Sequence, residues 1–151
     1  MTNIENRLRD LGMSLPDPKS PVANYLSTKR SGDFLFVSGR VSALRGEVGS
    51  ELSLEQGRQA ARDAMLDLLA IVRHDLGTLN TIVSVEQLRG FVRSAPTFTQ
   101  QPAVIDGASD LLIALFGDAG RHARTATGTN QLPFGAAVQL DLILRLAAET
   151  L

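Results

Sequence analysis

The sequence predicts a single α+β or α/β domain with two helices packed on one face of a single sheet. Three observations predict it. Strand and helix patterns succeed one another as strands, helix, strand, helix, strands. The chain has 151 residues, 44% of them hydrophobic, enough to bury one real core. No repeat, linker or low-complexity stretch divides it, so residues 1–151 are expected to form one domain, with 1–23 as a helix and proline-rich extension.

Ile4 to Leu11 has Ile4, Leu8 and Leu11 at helical spacing, and Gly12 ends it. Pro16, Pro18 and Pro21 keep the following segment extended. That segment leads to Tyr25, the only tyrosine, which reads either as a half-buried ring or as a ligand contact. Ser31-Gly32-Asp33 is a turn cluster opening the apolar strand Phe34 to Val37, which runs into Ser38-Gly39-Arg40. A glycine such as Gly39 at a strand end permits close approach of a ligand or another chain. Gly46 and Gly49 mark a loop, with a hairpin return expected around Leu44 to Val48.

Ser53 to His74 carries the strongest local signal. Ser53 and Gln56 form a capping box, each side chain satisfying an orphan backbone donor. Gly57, Ala60, Ala61, Ala64, Met65, Leu68 and Val72 then repeat at helical spacing. The small early residues let this helix lie close to a sheet, while Arg58, Arg62, Asp63, Asp67 and Arg73 read as its solvated face. Gly77 terminates it, and His74 in the last turn reads as structural. Thr81 to Val92 is rich in β-branched residues and reads as a long strand, in which Gly90 marks a bulge or a close contact. A second helix runs from about Pro102 to Phe116, closed by Gly117. Val138 to Leu144 alternates in polarity as a strand does. Helices on one side leave the other sheet face bare, and apolar residues there, such as Ile143, call for self-association.

Composition removes several classes of function. The net charge of −1 gives no polyanion-binding signal, so nucleic acid is a disfavoured partner. Without cysteine there is no disulfide, thiolate catalysis or Cys-ligated metal, and His74 and His122 lack metal-ligand spacing, so no metal site is expected. The charged first dozen residues are not a signal peptide, and no apolar run approaches the ~20 residues of a membrane helix. A cytoplasmic location fits. Neither a P-loop nor a dinucleotide fingerprint is present.

What remains is the donor-rich stretch Arg121, His122, Arg124, Thr125, Thr127 and Thr129. The planar guanidinium of Arg124 suits bidentate binding of a carboxylate or phosphate, and equally suits pairing with an acidic residue at a subunit contact. Further on, Gln139 and Asp141 are two apart and face the same way. Asp141 can act as a base or hold a water, whereas Gln139 can hydrogen-bond but cannot take up a proton at useful pH. The plain alternative is two polar residues on a wet face.

These motifs together resemble the YjgF/RidA family, also called L-PSP endoribonuclease-like, from about Asn24 to Leu144. The resemblance rests on Phe34 to Gly39, the Ala-rich first helix, Gln87-Leu88-Arg89-Gly90-Phe91-Val92, and above all Ala123-Arg124-Thr125 with Leu132-Pro133 and Val138-Gln139-Leu140-Asp141 at the family's spacing. The stretch from Asp106 to Arg124 is similar to a longer-chain subgroup. The resemblance implies a chorismate-mutase-like α+β fold and a homotrimer with sheets around a central barrel. Ligand pockets then lie between subunits, and no cofactor is needed. In the deaminase branch it implies that Arg124 grips a substrate carboxylate while Gly39 and Tyr25 line the pocket. The reaction implied is hydrolysis of 2-enamine or 2-imine intermediates to 2-keto acids and ammonia.

The sequence departs from that branch at two positions. Gln139 stands where the branch has a glutamate, and losing a general base costs ~10²–10⁴-fold. Arg40 replaces the glutamine usual after the Ser-Gly pair; a cation there favours a more anionic ligand or contacts Asp141. The candidate site is therefore Arg124, Tyr25, Gly39 and Arg40 for binding, with Gln139 and Asp141 for chemistry. Three functions compete: an imine hydrolase, a non-catalytic metabolite-binding trimer, and an endoribonuclease. The last is disfavoured because the chain offers no histidine pair and little attraction to RNA.

Overall fold

A computed structural model describes residues 3–21 and 23–149. Its elements are α1 (Ile4–Asp10), β1 (Thr28–Ser31), β2 (Phe34–Val41), α2 (Leu54–Leu76), β3 (Ile82–Arg93), α3 (Gln101–Phe116), β4 (Ala123–Thr129) and β5 (Val138–Leu146). One mixed sheet has the order β1-β2-β5-β3-β4, antiparallel except for the β3–β4 pair. A parallel pair needs a crossover connection, and α3 supplies it.

The helix α2 forms for the reasons its sequence announces. Ser53 Oγ accepts from the Gln56 N–H at 3.1 Å, and Gln56 Oε1 accepts from the Ser53 N–H at 2.9 Å. Its last turn closes on Gly77 at φ 82°, a left-handed conformation that costs glycine nothing. Alternation along β5 buries Val138, Leu140, Leu142 and Leu144 against the helices. Ile4 and Leu8 of α1 join that core, so three helices, not two, cover the same side among the described residues.

Several expectations shift in detail. Leu11 is exposed rather than packed, because α1 stops at Asp10. β1 answers to no element expected from the sequence: its charged Thr-Lys-Arg-Ser stretch is held extended by pairing with β2. The segment Leu44 to Val48 is no hairpin but a loop pinned by single bridges, Arg45 to Ala136 and Val48 to Leu52 and Ser94. Gly57 makes room for α3 as well as for the sheet side, since a Cβ there would meet Val104 Cγ1 at 3.2 Å. Gly90 is a close contact: a Cβ would fall 2.5 Å from Ile105 Cδ1. The charged flank of α2 is not merely solvated. Arg58 pairs with Asp110 at 3.3 Å, Arg73 with Glu5 at 3.4 Å, and Asp67 with Lys19 at 3.6 Å, each tying α2 to another element.

Among the described residues nothing covers the opposite face of the sheet. Phe34 and Phe36 of β2 are 44% and 45% exposed, beside the half-buried Ile143 of β5.

Candidate functional site

The site begins with a slip in strand register. Val37 faces Leu142 of β5, yet Arg40 faces Leu140, so Ser38 and Gly39 together oppose a single residue. Such a bulge turns the rest of the strand over. Without it Arg40 would point to the bare face; with it, Arg40 lies on the side covered by α2. Gly39 sits at the slip, where a Cβ would press to 3.3 Å from Gln139 Nε2. The absence of a side chain there leaves room for the amide.

Around this bulge lies a cleft of about 390 Å³. Tyr25, Gly39, Arg40 and Gln139 all line it, together with Lys19, Arg45, Asp67 and Phe134. Four of the six sequence-predicted residues are thus brought to one place. Arg40 Nη2 donates to the Lys19 carbonyl at 2.8 Å, which folds the proline-rich extension over the cleft. Its Nε is buried and finds no hydrogen-bond partner among the described residues. An unsatisfied buried donor costs ~1–3 kcal/mol, more when charged, so an acceptor there would be stabilising. Asp141 is not the partner of Arg40, because the bulge places the two on opposite faces.

The cleft wall is held by Ser42, whose Oγ accepts from the Ala137 and Val138 N–H groups, each at 3.2 Å, and donates to the Leu44 carbonyl at 2.7 Å. Phe134, on the same rim, has φ 60° and is the only non-glycine residue with positive φ among the described residues. That backbone costs roughly 1–2 kcal/mol for a bulky side chain, yet the ring is 63% exposed, so its own burial repays little. Strain of this kind collects at ligand sites.

Asp141 lines a neighbouring cleft on the bare face, which shares Gly39 with the first. Arg89 Nε donates to Asp141 Oδ1 at 2.9 Å. That bond, then the Asp141 charge, raise the Arg89 pKa above its ordinary value against a small opposing effect of burial. Asp141 is thus tied to Arg89 on the bare face and does not line the first cleft.

Arg124 is elsewhere. In the sheet order β2 and β4 are separated by β5 and β3, three strand spacings or roughly 14 Å. Its side chain faces α3: Nη1 donates to Asp106 Oδ1 at 2.7 Å and to Ser109 Oγ at 3.2 Å, and Nη2 to the Pro102 carbonyl at 3.4 Å. Of the other donors in that stretch only His122 meets Arg124, through their shared partner Ser109. Arg121 pairs with Asp118 at 3.5 Å, Thr129 Oγ1 donates to the Gln131 carbonyl at 3.2 Å, and His122 turns to Ser109. Thr125 and Thr127 alternate away from Arg124, exposed on the bare face.

Sequence reasoning missed Lys19, Arg45, Asp67 and Phe134 as cleft residues and Asp106 as the partner of Arg124. Only Phe134 carried a local signal, the turn at Leu132-Pro133. Among the described residues no cluster of three or more His, Asp or Glu side chains could hold a metal ion, and no helix is long and apolar enough to cross a membrane.

Comparison with known proteins agrees with this architecture. The profile of the family described as "YjgF/chorismate_mutase-like, putative endoribonuclease" matches residues 5–146. Protein TCP17 of Trypanosoma cruzi is 41% identical over 150 residues, covering 95% of this chain and 94% of that protein. A crystal structure of an Agrobacterium tumefaciens protein of unknown function superposes with a TM-score of 0.87 at 40% identity, over 95% of this chain and 92% of that one. A Shewanella oneidensis protein with a provisional endoribonuclease name gives a TM-score of 0.91 at 29% identity, over 96% of this chain and 100% of that one. With its three helices on one mixed five-stranded sheet, the chain belongs to the YjgF/chorismate mutase-like family.

Proposed function

We propose that this chain binds small carboxylate-bearing metabolites in clefts shared between copies of itself, assembled as a cytoplasmic homotrimer. The observation that carries the reading is the convergence of Tyr25, Gly39, Arg40 and Gln139 on one cleft around a buried, unpartnered guanidinium nitrogen. Arg124 lies across the sheet from this cleft, so it takes part only if it comes from a neighbouring copy. The exposed Phe34 and Phe36 beside Ile143 favour association, since a soluble monomer rarely leaves such a face bare. In that assembly Arg124 grips the ligand carboxylate while the cleft holds the rest.

The same arrangement suits assisted hydrolysis of 2-imine or 2-enamine intermediates. Water adds to the imine carbon, the C–N bond breaks, and a 2-keto acid and ammonia leave; no cofactor enters. Gln139 can hold that water but cannot take its proton, so the acceleration is modest and binding is the dominant role. RNA cleavage finds no support here, because neither histidine lines the cleft.

Thermal denaturation with pyruvate or 2-oxobutyrate tests the reading. Stabilisation that disappears in Arg124→Ala is expected, together with a trimeric mass in sedimentation. An unchanged shift in Arg124→Ala, or a monomer with full affinity, would sink it.

A further inference from the structure

Resting on that reading, we infer that the preferred ligand is dianionic: a 2-keto or 2-imino acid carrying a second acidic group at the end remote from its first carboxylate. Three cations line the cleft, Lys19, Arg40 and Arg45, against one carboxylate, Asp67. Lys19 and Asp67 neutralise each other at 3.6 Å. Arg40 and Arg45 pair with no carboxylate among the described residues, so two guanidinium groups face the cleft unmatched. Arg40 also keeps a buried Nε without an acceptor. Arg45 is brought to the rim by its backbone bridge to Ala136 and by the Gly46 N–H donating to the Gly135 carbonyl at 3.0 Å.

A ligand with one carboxylate, gripped by Arg124 of a neighbouring copy, would leave both arginines without an anionic partner, Arg40 half-buried and Arg45 at the exposed rim. A second acidic group satisfies them, and a guanidinium fork binds a carboxylate or a phosphate by parallel hydrogen bonds. Arg40 and Arg45 are thus specificity-determining residues: they select by charge at the far end of the ligand, whereas Arg124 recognises what all such acids share.

The test is titration calorimetry of the full chain with 2-oxoglutarate and with 2-oxopentanoate, which has the same carbon chain without the second carboxylate. A phosphonate-ended 2-keto acid, run alongside, identifies which acidic group fits better. 2-Oxoglutarate is expected to bind at least about tenfold more tightly, the scale of one charge-assisted pair. The preference should shrink in Arg45→Gln, whose exposed side chain holds nothing in the fold, and in Arg40→Gln. A preference for the phosphonate over both still supports the inference. Equal affinity for all three acids, or a preference that survives both substitutions, overturns it while leaving the proposed function standing. Binding of none of them removes the proposed function as well.

Discussion

His122 Nε2 lies 2.9 Å from Ser109 Oγ, and the geometry fixes which of them donates. His122 Nδ1 sits 2.6 Å from the Gly120 carbonyl, which can only accept, so the tautomer that satisfies this contact has its hydrogen on Nδ1. Nε2 is then the acceptor, and Ser109 donates its hydroxyl. That leaves the Ser109 oxygen to accept from Arg124 Nη1. The arginine is held by Asp106 on one side and, through Ser109, by His122 on the other.

Ser109→Ala should therefore act twice. Ser109 is only 6% exposed, and removing its hydroxyl leaves the His122 acceptor unpaired and takes a bond from Arg124. A loss of about 1–3 kcal/mol is expected in urea unfolding. Keto-acid affinity should fall while Ser109→Thr retains most of it; equal affinity in Ala and wild type would make the network purely structural.

Gln139→Glu should separate binding from chemistry. The carboxylate would stand in the cleft beside Gly39 and supply the missing base. Ammonia release from freshly generated 2-iminopropionate should rise by up to ~10²-fold, while affinity for anionic keto acids drops through repulsion. No rate gain, in a variant that still binds, would show that the site does not hold water at the imine.

Phe134→Asn should trade function for stability. Asparagine tolerates the left-handed backbone that Phe134 adopts at φ 60°, and little buried surface is lost. Thermal unfolding should show a gain of roughly 0.5–1 kcal/mol, with weaker keto-acid binding. A destabilised variant would mean that the ring is packed in the assembled protein.

The Arg89–Asp141 pair should be insensitive to pH on the arginine side. A folded-state pKa raised above the unfolded one contributes stability that is complete below the unfolded value and is lost only as pH rises through the folded one. Both values lie far into alkali, so the stability difference between wild type and Arg89→Gln should stay level in urea unfolding from about pH 6 to about pH 9. A steep change in that window would assign the dependence to another group.

How much of this was legible depended on whether the cause was local. The helix α2 was, because Ser53, Gln56 and Gly77 cap it with their own side chains or backbone freedom. The alternation of β5 was, because burial on one face imposes a period of two. β1 was not, since Thr28–Ser31 has no apolar alternation and is a strand only by virtue of β2 beside it. Arg40 could be suspected as a departure from a family pattern. Its side, however, is set by a one-residue register slip between β2 and β5, which no local signal of either strand reports. Arg45 and Lys19 reach the same cleft from a loop and an extension whose paths only tertiary contacts decide. Arg124 stood out by residue type alone, and its partner Asp106 lies 18 positions away and shares no pattern with it.

The position of β4 at one edge of the sheet, with β2 beyond β5 and β3, has a consequence for mixtures. In the proposed assembly each chain contributes two half-sites that cannot meet within it. A subunit lacking Arg124 and a subunit with a disabled cleft would each assemble into dead rings alone. Combined, they would regain a fraction of working clefts wherever an intact arginine faces an intact neighbour. Function in this protein would then be counted in boundaries rather than in chains.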